Sequence, residues 1–74
     1  MRIVLKPGVI PSYCKSRDIS RDEMARRMGV STSTAFRIDA ERTEPSPKFI
    51  AALMNLTDEK FEALFDIVDD EAVA

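Results

Sequence analysis

This chain has no histidine, a single cysteine and only two glycines in 74 residues, and each shortage removes a class of chemistry. Without histidine, no imidazole is present to activate a serine or Cys14. One cysteine excludes an intrachain disulfide and cannot by itself close a zinc site, so Cys14 reads as a small apolar core residue. Gly8 and Gly29 stand apart and make no glycine-rich phosphate loop. No cluster of side chains has metal-ligand spacing, and Asp69, Asp70 and Glu71 read as a solvated acidic segment rather than an acid/base pair. The reading is therefore not an enzyme, with no cofactor, metal or small-molecule ligand implied. No apolar run approaches the ~20 residues of a membrane span, and "MRIVLKP" is too short in apolar content for a signal peptide. The expectation is a cytoplasmic chain with no membrane partner.

What is present is enough for one small core. With 45% apolar and 32% charged residues, the composition is that of a globular protein. Its length suits a single domain over residues 1–74, near the size at which one core only just supports folding. The net charge of −2 is unevenly spread. Residues 15–42 carry seven bases against five acids, whereas residues 43–74 carry Lys48 and Lys60 against eight acids.

Local signals divide the chain into short elements. "RIVLK" is β-branched and stopped by Pro7-Gly8, as a short strand would be. Pro11 is tolerated only in a first helical turn, so helix 1 is placed to begin near Val9 or Ile10. Ser20 and Glu23 form a capping box for helix 2, with Ile19 and Met24 spaced as a hydrophobic staple. Met24, Ala25 and Met28 make its buried stripe, and Gly29 stands where a left-handed residue ends the helix. Ser31 caps helix 3, which turns Ala35 and Ile38 inward. Ser46 caps helix 4, with Pro47 in its first turn and Phe49, Ile50, Leu53 and Met54 inward. Thr57 is placed to cap a fifth segment, "DEKFEAL", with Phe61 and Leu64 inward. The remaining "FDIVDDEAVA" can continue that helix or form a strand against "RIVLK", with Arg2 and Lys6 near Asp66 and Asp69. Phe65, Ile67 and Val68 favour the strand.

The interrupted helix carries the functional signal. Two short helices joined by a glycine turn, over residues 21–40, have the pattern of a helix-turn-helix, whose second helix enters the DNA major groove. Ala25 is small where the helices must approach, and Met24, Val30, Ala35 and Ile38 supply the apolar positions. Across "ISRDEMARRMGVSTSTAFRIDAERTEPSPKFIAAL" the chain resembles the lambdoid repressor and Cro family, the XRE-type regulators. The likeness covers roughly residues 9–65 and rests on Ala-x₃-Gly-Val-Ser at Ala25 to Ser31 together with Pro45-Ser46. Arg21 stands where the family usually has glutamine, Ala35 where it has isoleucine or valine, and Glu41 where it has the glycine that ends helix 3. The resemblance implies a mainly α, compact five-helix lambda-repressor-like domain, to which the terminal segments can add a short two-stranded sheet. It also implies a small phage or bacterial transcriptional regulator that binds double-stranded DNA, nucleoid-associated when bound.

With Ala35 and Ile38 inward at 100° per residue, the outward face of helix 3 holds Ser33, Phe36, Arg37 and Ala40, with Thr32 at its leading edge. Thr32, Ser33, Phe36 and Arg37 are thus the candidate base contacts of a recognition helix over residues 32–40. Hydroxyls bond several base edges, an apolar ring suits a thymine methyl, and an arginine fork fits guanine O6 and N7. Arg21, Ser31, Thr34, Arg42 and Arg17 are the candidate phosphate contacts, with Lys15 and Arg27 as further neighbours. Each has a plainer role open to it: capping for the hydroxyls, a surface pair with Glu41 for Arg37, solvated charge for the rest. A palindromic operator needs two recognition helices about 34 Å apart, hence a homodimer at least on DNA. The alternative is a protein-interaction module of the same fold, favoured by the acids Asp39, Glu41 and Glu44 around helix 3 and by the net charge. No separate sensor domain is expected.

Overall fold

In the computed structural model, described over residues 1–69, five helices occupy most of the chain and a two-stranded antiparallel sheet joins its ends. The elements run β1 (Arg2–Leu5), α1 (Val9–Arg17), α2 (Arg21–Met28), α3 (Thr32–Asp39), α4 (Pro47–Thr57), α5 (Phe61–Leu64) and β2 (Phe65–Val68). The choice left open by "FDIVDDEAVA" falls to the strand over Phe65–Val68, paired with β1 in the register Arg2↔Val68 to Leu5↔Phe65. Lys6 donates its N–H to the Leu64 carbonyl at 2.9 Å and extends the ladder, and its ammonium lies 3.7 Å from Asp66. Asp70 and Glu71, from the acidic segment, lie outside the described residues.

Serine starts three helices. Ser20, Ser31 and Ser46 each hold an extended backbone and accept the N–H three residues on, from Glu23, Thr34 and Phe49. Each such cap contributes about 1 kcal/mol, because it satisfies a donor that the first turn cannot. Only half of the Ser20 capping box forms. The Glu23 carboxylate turns along its own helix to Arg26 at 2.7 Å and Arg27 at 3.1 Å. Thr57 does not cap the fifth segment: it is the last residue of α4, and its hydroxyl donates to the Leu53 carbonyl at 2.8 Å. Helical backbone at Thr57 removes the extended geometry an N-cap needs. α5 is consequently a single turn entered from Lys60.

Left-handed residues follow α1 to α4, whereas α5 runs straight into extended backbone at Phe65. After α2, Gly29 has φ 75°, with its N–H on the Arg26 carbonyl and the Val30 N–H reaching back to Ala25 at 3.0 Å. The same pair of bonds follows α1 at Asp18 and Ile19, and α3 at Glu41 and Arg42. Asp18, Glu41 and Asp58 all have φ between 54° and 59°, without the freedom that glycine gives.

The core draws a buried side chain from every element, and α4 packs on α2 and α5. Phe49 and Leu53 are fully buried, and Leu5, Met24, Ala25, Ile38 and Phe65 are nearly so. Burying each large side chain is worth about 1.5–3 kcal/mol, several times an exposed ion pair. Cys14 is buried with them, its thiol 3.6 Å from the Met24 sulfur. Phe61 stacks on Phe65 with ring centroids 5.2 Å apart and ties α5 to the sheet.

The left-handed positions give opposite stability effects on substitution. Glu41→Gly should stabilise the fold by about 1 kcal/mol, a rise in Tm of about 4–8 °C. Gly29→Val should lower Tm by at least as much, since a Cβ there meets no neighbouring atom and the cost is in the backbone. Thermal unfolding followed by circular dichroism reads both, and a neutral Glu41→Gly would remove the strain assigned to that position.

Candidate nucleic-acid interface

α3 is built to show one face. Its amphipathic pattern buries Ile38, half-buries Ala35, and leaves Ser33, Phe36, Arg37 and Ala40 exposed, as 100° steps require. The link of three residues between Met28 and Thr32 holds α3 against α2, and α3 also packs on β1. An apolar cleft of about 50 Å³ remains in the α2–α3 seam, lined by Met24, Ala25, Met28, Ala35 and Phe36 among others. It opens where Ala35 supplies a small side chain.

The outward face of α3 forms a shallow, open concavity of about 350 Å³, lined by Thr32, Ser33, Phe36, Arg37 and Arg42. The four residues assigned to base contacts line it, and Arg42 joins them from the turn after α3. Phe36 is 55% exposed. Arg37 does not take up the surface pair with Glu41; the latter sits in the left-handed turn, where the helix has ended. Among the described residues, Arg37 and Arg42 are the two arginines whose guanidinium has no ion-pair, hydrogen-bond or ring partner.

The remaining candidates are partly occupied. Arg21 lies 3.7 Å from Asp39, and the Thr32 hydroxyl donates to Asp22 at 3.0 Å. Both contacts cross from α2 to α3, so two acids hold groups that the sequence assigned to DNA. Ser31 accepts the Thr34 N–H and donates its own hydroxyl proton to Thr34 Oγ1 at 2.9 Å, which leaves both side chains in local capping bonds. Arg27 is tied to Glu23. Arg17 stacks over the Tyr13 ring, 5.4 Å from its centroid, beside a groove lined by Ser12, Ser16, Thr57 and Glu59. No residue of that groove belongs to α3, so Arg17 is not brought to the α3 face.

Asp22 and Asp39 are the residues that sequence reasoning left out of the site. For Asp39 a signal existed: it lies four residues after Ala35, on the same face, and so points at α2. Asp22 carries no such signal, because its partner is ten residues away across a turn. Among the described residues, no group of three potential metal ligands is found and no helix is long and apolar enough to cross a membrane. Comparison with protein-family models, with curated proteins and with solved structures gives no match.

The two interhelical clasps adjust side chains and do not hold the fold. Asp39 is 20% and Arg21 51% exposed, a geometry in which ion pairs contribute at most about 1 kcal/mol. Asp22→Ala and Asp39→Asn should each change the unfolding free energy by less than about 1 kcal/mol. Ile38→Ala, which empties a nearly fully buried site, should cost about 2–5 kcal/mol. Denaturant titration measures all three, and a loss of several kcal/mol from Asp39→Asn would show that the clasp is structural.

Proposed function

We propose that this protein is a small sequence-specific binder of double-stranded DNA, a repressor/Cro-like transcriptional regulator whose α3 enters the major groove. The observation that carries the reading is the outward face of α3, where Ser33, Phe36 and Arg37 share one concavity with Arg42 and both arginines lack partners among the described residues. An unpaired guanidinium on α3, as at Arg37, or on the turn after it, as at Arg42, is poised for a base edge or a phosphate without first breaking an internal contact. In this reading Arg37 takes a guanine and Arg42 a phosphate. Arg21 exchanges Asp39 for a phosphate, a modest step because the pair is long, at 3.7 Å, and its guanidinium is half-exposed. Ser31 and Thr34 hold the start of α3 in place and meet the backbone from there.

The pair of recognition helices that a palindromic operator demands would come from a homodimer. The sheet supports this: two strands leave outer edges, and Ile67 of β2 is 59% exposed. A species that stays monomeric in sedimentation both alone and on DNA would remove the dimer from the account.

A second reading, a protein-interaction module of the same fold, is favoured by the acids at the α2–α3 seam. Asp22 and Asp39 engage Thr32 and Arg21 and place negative charge beside the face that phosphates would approach. The two readings separate on binding at low salt, where phosphate contacts are strongest. Selection from a random duplex pool at low salt should enrich a two-fold-related motif whose affinity falls steeply with added salt. No enrichment and no retention would give the lead to the protein partner. On the enriched duplex, Arg37→Ala should relax preference at one base pair, worth about 1–3 kcal/mol, while Arg21→Ala should weaken all sequences alike and flatten the salt slope by about one.

A further inference from the structure

Phe36, 55% exposed, is the apolar side chain in the lining of the α3 concavity, to which Thr32 and Ser33 bring hydroxyls and Arg37 and Arg42 guanidinium groups. The major-groove edges of the bases are donors and acceptors throughout, apart from the C5 position of pyrimidines, where thymine carries a methyl group. An exposed ring facing that groove desolvates polar base edges without replacing their bonds, except where it meets a C5-methyl. Resting on the DNA reading above, we infer that Phe36 and Arg37 together read a C5-methylated pyrimidine next to a guanine. Successive residues of a helix rise by 1.5 Å and diverge by 100°, so the short ring and the long arginine reach neighbouring base pairs from adjacent Cα positions. The chemistry recognised is the methyl group and not the rest of the thymine. 5-Methylcytosine displays the same group at the same place, so cytosine methylation at that position should strengthen binding.

The test uses the full chain and the duplex enriched from a random pool, with each thymine adjacent to a guanine replaced in turn by deoxyuridine. Removing the methyl group that Phe36 covers should weaken wild-type binding about fourfold at one position in each half-site. A cytosine–guanine pair placed there should bind more tightly with the C5-methyl than without it. In Phe36→Ala both ratios should fall to one, while Phe36→Leu should keep part of each. Because every readout is a ratio within one protein, a change in overall affinity or stability does not imitate the effect. Binding with an enriched motif but no methyl dependence in the wild type, or an unchanged ratio in Phe36→Ala, would overturn this inference and leave the DNA reading standing. Retention of duplexes without enrichment would overturn it too, and the absence of any DNA retention would overturn both.

Discussion

The left-handed turn at Gly29 sets where everything else can go. With φ 75° it closes α2 through two backbone bonds and redirects the chain within three residues, so that α3 starts from the Ser31 cap. The direction given to α3 then decides which of its residues are inside: Ile38 reaches the core with Met24 and Phe49, and the opposite side faces outward. Asp18, Glu41 and Asp58 adopt similar backbone angles at other helix ends, but glycine is spent only on the turn inside the two-helix unit and at Gly8 before α1. Free energy is given up at three helix ends and saved at the one joining α2 to α3.

Two scales of interaction share the work. Burial of Phe49, Leu53, Leu5 and Phe65 fixes the relative placement of helices and sheet, each contributing about 1.5–3 kcal/mol. The polar contacts between α2 and α3 are partly exposed and weaker, and they arrange side chains on a surface whose backbone is already set. That separation is what the proposed recognition by the α3 face requires. Arg37 and Arg42 can stay unpaired in water at no cost to the fold, and Arg21 can leave Asp39 for a stronger anionic partner.

Much of this was legible in the sequence because it depends on local rules. Serine before each of α2, α3 and α4, glycine after α2, Pro47 in a first turn and the i, i+1, i+4 spacing of Met24, Ala25 and Met28 report conformations settled within a few residues. The outward face of α3 followed from the same periodicity. What was not legible crosses longer distances or depends on competition. Thr57 has the chemistry of a cap but its backbone stays helical to the end of α4, and its hydroxyl donates to the Leu53 carbonyl one turn back. Glu23 had a choice between the Ser20 N–H and two arginines, and charge favoured the arginines. The clasp of Asp22 on Thr32 arises only once α2 and α3 are packed in three dimensions, whereas Arg17 and Tyr13 are an i, i+4 pair within α1.

The claim that the α3 face is the contact surface is tested most directly by titrating a random-sequence duplex at low salt into isotope-labelled protein and following the amide and arginine side-chain resonances. The account predicts shifts concentrated at residues 31–42, with the Arg37 and Arg42 side chains among the largest and the buried neighbourhood of Phe49 unmoved. Absence of shifts at any duplex concentration, or shifts gathered in the Tyr13 and Arg17 groove instead, would contradict it.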